Sequence, residues 1–129
     1  AGPSARFGDG CSGSNGVPRI GSLGGLPRPG TILTVTLEHA APSSFAALIV
    51  SATSTPVSVA GCTLYVGLPE LMMVLAATDG AGTAMVSIAV PNNPELVGMT
   101  AYLQWAVADG ARPPFGLTLS DALSVTVER

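Results

Sequence analysis

The chain has 129 residues, of which 47% are hydrophobic and only 10% charged, with a formal net charge of −3. That length suits one domain, and ordinary domains carry about 25% charged residues. Lysine is absent, and the five basic residues (Arg6, Arg19, Arg28, Arg112 and Arg129) are scattered; without clustered basic charge to neutralise phosphates, nucleic-acid binding is excluded.

Residues 1–30 hold nine glycines and four prolines. Such a segment cannot form a regular helix or a long strand, so it reads as an extended arm, with a β-sandwich body over 31–129. Cys11 and Cys62 are the two cysteines. They show no CxxC spacing and have no histidine cluster beside them, which points away from a metal site and toward a disulfide. A disulfide implies an oxidising compartment and would pin the arm to the body. A bond between two chains, or two separate buried thiols, would satisfy the same composition.

From Thr31 onward strand signals recur. Leu33, Val35 and Leu37 alternate with Thr34 and Thr36, as on a half-buried strand. Ala41 to Ser44 is a turn cluster, and Phe45 to Ala52 is an apolar run of strand length. Thr53 to Pro56 breaks it; Cys62–Val66 and Leu71–Leu75 are further strands. In Thr78-Asp-Gly-Ala-Gly82, Asp-Gly supplies the positive φ of a tight hairpin. Ala84, Val86, Ile88 and Val90 then share one face. Pro91 to Gly98 reads as a loop with one helical turn, capped by Asn93 with Pro94 at its first position. Along Met99–Val107, the residues Met99, Leu103, Trp105 and Val107 face one side, and Thr100, Tyr102 and Gln104 face the other, toward solvent or a partner. Asp109 to Pro114 is a loop, and Asp121–Val127 closes the chain. The fold class expected is all-β: an antiparallel sandwich of about seven or eight strands, immunoglobulin-like or jelly-roll-like.

Reactive clusters are hard to assemble. His39 is the sole histidine, and no Gly-x-Ser-x-Gly elbow accompanies it. The carboxylates are dispersed, and Asp79-Gly-Ala-Gly lacks the further acids of a calcium loop. Gly21-Ser-Leu-Gly-Gly25 precedes prolines rather than a helix and has no Gly-Lys-Ser/Thr ending. Trp105 and Tyr102 lie on opposite faces of one strand, so they cannot form a single aromatic platform. No catalytic residue, metal set or cofactor is assigned.

Several pieces in order carry a resemblance: Phe7-Gly-Asp-Gly-Cys-Ser-Gly-Ser14, Gly61-Cys62, Thr78-Asp-Gly-Ala-Gly82, Pro91-Asn-Asn-Pro-Glu-Leu-Val-Gly98, Gln104-Trp105-Ala-Val107 and Gly116-Leu-Thr-Leu-Ser-Asp-Ala-Leu-Ser-Val-Thr-Val127. Together they resemble a β-sandwich domain at the C-termini of large secreted or surface proteins of planctomycete-type bacteria. The resemblance implies an extracellular location and pairing of Cys11 with Cys62. It implies no catalytic residues.

Two functions follow as expectations. The first is a secreted structural subunit that assembles with itself into a filament or surface layer. Its arm would add to a neighbour's sheet edge, anchored by Val17, Ile20, Leu23 and Leu26, or would equally wrap its own domain, held there by Cys11 and Cys62. The second is a non-catalytic module for adhesion to carbohydrate or another surface ligand, with Tyr102 and the loop from Asp109 to Pro114 as its contacts. A start at Ala1 rather than Met suits a mature chain cut from a signal peptide. No run of 18 or more apolar residues is present, so no insertion into a membrane by a helix is expected.

Overall fold

The computed structural model describes residues 4–13, 15–23, 28–59, 62–67, 72–109 and 116–128. Among the described residues ten strands run in chain order: β1 (Ser4–Phe7), β2 (Arg19–Leu23), β3 (Ile32–Glu38), β4 (Phe45–Ser51), β5 (Ser54–Val59), β6 (Cys62–Val66), β7 (Met72–Ala77), β8 (Ala84–Ala89), β9 (Thr100–Ala108) and β10 (Leu117–Thr126). All pairings are antiparallel. One sheet has the order β1-β10-β9-β4-β7, a second the order β2-β3-β8, and β5 pairs with β6 as a separate ribbon.

Alternation builds the sandwich. Leu33, Val35, Leu37 and Val86 of the smaller sheet are buried against Ala46, Leu48, Val50, Leu103, Trp105, Val107, Leu123 and Val125 of the larger one. Trp105 is fully buried, and its Nε1 donates to the Thr36 carbonyl of the facing sheet at 3.0 Å. A buried indole needs such a partner, so this bond fixes one sheet against the other. Met99 departs from its expected face: it precedes β9 and is exposed.

The ribbon covers part of the outer face of the larger sheet. Gln104, expected to face solvent or a partner, is instead fully buried. Its Oε1 accepts from Tyr65 N at 2.8 Å, and its Nε2 donates to Thr63 O at 2.9 Å and Ser120 O at 2.7 Å. Cys11 and Cys62 form an intrachain disulfide. With Leu119 they make a second small core, flanked by Leu64 and Ala106.

Of the two places open to the segment 1–30, its described strands take the one on their own body: Ser4–Phe7 pairs with β10 and Arg19–Leu23 with β3. Long-range pairing overrides the weak local strand propensity of a Gly/Pro-rich segment. The Asp79-Gly80 turn does not close a hairpin, because β7 and β8 belong to different sheets. Positive φ falls at Gly82 (79°) instead, where a Cβ would strike the Ala40 carbonyl. Finally, Pro56 does not end structure. It sits in β5, beside a register shift between Ser54 and Val57, and edge strands and bulges are where a sheet tolerates proline.

The 3₁₀ turn over Pro94–Leu96 matches expectation, with Asn93 Oδ1 accepting from Glu95 N at 3.0 Å. Among the described residues no helix is long and apolar enough to cross a membrane.

Candidate interaction surface

Among the described residues three sheets present six edge strands: β1 and β7, β2 and β8, β5 and β6. An unpaired edge invites pairing with another chain, and proteins blunt it with charge, proline, bulges or side-chain caps. Four of these edges are blunted. β5 carries Pro56 and the register shift. The backbone of β6 is capped by Gln104, which bonds Tyr65 N and Thr63 O. β1 is only four residues long and carries Arg6. β2 carries Arg19, and its outward Ile20 N–H donates to Asp121 Oδ1 at 2.9 Å.

A bulge places that carboxylate. Between Leu119 and Ala122 the β10 register shifts against β9, so Ser120 and Asp121 together oppose Trp105. Ser120 Oγ accepts from Trp105 N at 3.0 Å and donates to Asp121 O at 2.7 Å. The extra residue bends the strand and turns Asp121 toward β2. Its Oδ2 also lies 3.9 Å from Arg6 Nη1. Burial pushes the Asp121 carboxyl above its ordinary range, against the lowering effect of the Ile20 N–H. A polar groove of about 490 Å³ opens here, lined by Arg6, Arg19, Ser22, Thr36 and Glu38 among others.

The opposite side is different. β7 reads Met-Met-Val-Leu-Ala-Ala and β8 reads Ala-Met-Val-Ser-Ile-Ala, without a charge, proline or glycine between them. Both are sheet edges. Met73 is 51% exposed, Leu75 76% and Met85 63%. Phe45, opposite Ala77 on the neighbouring β4, is 76% exposed and extends the apolar surface inward. An apolar cleft of about 300 Å³ is lined by Leu33, Met72, Ile88, Met99 and Val125 among others. At the far end of both strands, Asp79 is held within its own turn. Its Oδ1 accepts from Ala81 N and Thr83 N, and its Oδ2 from Thr83 Oγ1 at 2.6 Å.

The residues expected to anchor an arm are dispersed. Ile20 is 1% exposed and belongs to the chain's own core, so it offers nothing to a neighbour. Val17 is exposed. The side chain of Leu23 and the whole of Leu26 lie outside the described residues. Tyr102 is half-buried, with its ring edge-on to Phe7 at 6.1 Å, and Phe7 in turn meets Tyr65 at 5.5 Å. It is therefore part of a packed aromatic group. Of the loop from Asp109 to Pro114 only Asp109 is described, and it is buried. His39 is exposed in the left-handed region at φ 59°. Sequence reasoning missed the β7 and β8 edges. Their lack of charge was readable, but their position at the sheet margins depends on topology. No family model matches the chain, and neither a curated protein nor a solved structure does.

Proposed function

We propose that the protein is an extracellular structural subunit that associates with copies of itself through sheet-edge pairing and apolar contact. The observation that carries this reading is the contrast among edges: four are blunted, while β7 and β8, side by side on one flank, are bare and apolar. Edge pairing supplies main-chain hydrogen bonds, and burial of Met73, Leu75 and Phe45 would contribute roughly 1.5–3 kcal/mol for each side chain fully covered. The Cys11–Cys62 bond is the chemistry of an oxidising compartment. Extracellular placement, which the resemblance to bacterial surface-protein domains also suggests, is part of the proposal. Sedimentation velocity over a concentration series, with electron microscopy of the concentrated protein, tests it. Concentration-dependent larger species are expected; a monomer throughout, with no ordered particles, overturns it.

The polar groove between β1 and β2 favours a second reading, a non-catalytic module for a surface glycan. It moves the ligand site from Tyr102 to Arg6, Arg19, Ser22 and Thr36. Glycan-array binding that is lost in Arg19→Ala would establish that reading, and an array without hits would remove it.

A further inference from the structure

We infer that the bare flank pairs with itself across a two-fold axis, β7 against the β7 of a second copy, to give a closed dimer with a continuous ten-stranded sheet. This rests on the self-association proposed above and specifies its geometry. Two copies of a five-stranded sheet can join through their open edges in two ways. Head-to-tail joining sets β7 against a neighbour's β1 and builds rings or open filaments; joining like edges is self-complementary and closes at two copies.

The charge distribution decides between them. The β1/β2 flank carries Arg6, Arg19, Glu38 and Asp121 around its groove. Pressing β7 onto that flank would strip water from these ions against Met73 and Leu75, which supply no partner for them. Against a second β7, no charge is desolvated in the strand. Antiparallel pairing sets side chains of the same face opposite one another. The outer-face positions of β7 are Met73, Leu75 and Ala77, so each register that preserves the faces puts apolar against apolar.

β8 is bare too, yet it is the weaker candidate. Beside its exposed Met85 the outer face of the small sheet is polar: Thr36 pairs with Met85, and Thr34 pairs with Ser87, their hydroxyls 3.4 Å apart. Beside Leu75, by contrast, stand Ala47 and Phe45. The β7 edge thus offers a second copy both backbone that pairs with no other described strand and a continuous apolar margin.

Sedimentation equilibrium of the intact oxidised chain and its Leu75→Lys variant tests the geometry, with far-ultraviolet circular dichroism and Trp105 fluorescence reporting the fold. Leu75 is already largely exposed, so the variant is expected to fold. The wild type should reach a dimer and stop there, and Leu75→Lys should weaken it by about a hundredfold or more. A third protein, Ile32→Lys, changes an equally apolar exposed residue on the central strand of the other sheet; it should shift the dimer constant by no more than about twofold. Open-ended oligomers of the wild type, or a dimer indifferent to Leu75→Lys, would overturn the two-fold pairing while leaving self-association intact. A wild type that remains monomeric would overturn both.

Discussion

Asp121 and Asp79 are both hydrogen-bonded carboxylates, yet their surroundings push them in opposite directions. Asp121 is raised, chiefly by burial. Its folded form keeps the proton to a higher pH than the unfolded chain does, so folding loses stability as pH climbs from the unfolded value of about 3.9 through the folded one. Asp79 is lowered, first by the Thr83 hydroxyl and then by the Thr83 and Ala81 amides. Its contribution is present above the unfolded value and lost as pH falls through the folded one. Asp121→Asn keeps an acceptor for Ile20 N without the buried charge. It should raise the melting temperature at neutral pH, with the gain fading in acid. Asp79→Asn should lower the melting temperature at neutral pH, and that loss should also fade in acid. Melts followed by circular dichroism across pH check both signs. Two neutral groups extend the argument. Gln104→Leu would leave Tyr65 N, Thr63 O and Ser120 O without their partner in a covered layer. The expected loss is about 3 kcal/mol by urea titration. Thr118 Oγ1 is buried with no hydrogen-bond partner among the described residues. Thr118→Val removes that hydroxyl at nearly constant shape and should gain about 1 kcal/mol.

At the level of strands, the sequence shows its structure where neighbours in the chain decide it. Leu33, Val35 and Leu37 alternate with threonines, and β3 buries those three. The Asn93-Pro94 cap needs only local geometry, and it is present. Pairing partners are another matter. β1 and β2 stand in a Gly/Pro-rich stretch with little strand propensity, and they form because β10 and β3 lie open beside them. The Asp79 turn has hairpin composition, yet the chain leaves it in the other sheet. The candidate surface shares this split: the missing charges of β7 and β8 are legible residue by residue, whereas their status as edges is a property of strand order. The ribbon β5–β6 is the element held most from a distance. Gln104 bonds it to β9, and Cys62 ties it to Cys11, 51 residues away. On the chain-entropy account a loop of that size gives about 4 kcal/mol. The double variant Cys11→Ser/Cys62→Ser should lose about that much in urea, with hydrogen exchange rising first in β5 and β6. Uniform loss of protection across all strands would mean that the ribbon is not a separable unit.

Across the whole molecule the scarcity of charge is unevenly shared, and that unevenness bears on solution behaviour. Arg6, Arg19, Glu38 and Asp121 gather on one flank, and the strands of the opposite flank hold none. Association through the apolar flank removes hydrocarbon from water and brings no ion pair together. Added sodium chloride screens charges beyond about 10 Å at 0.1 M, and here it has little attraction to screen. The dimer constant should therefore change by less than about threefold between low and moderate sodium chloride. Ammonium sulfate, which is excluded from exposed surface, should tighten it. Calorimetric dilution at several temperatures should give a negative heat-capacity change on association, the mark of apolar burial. If salt instead weakens association steeply, the contact runs through the arginines and carboxylates of the β1/β2 flank. Arg6→Gln and Arg19→Gln would then abolish it while Leu75→Lys left it untouched.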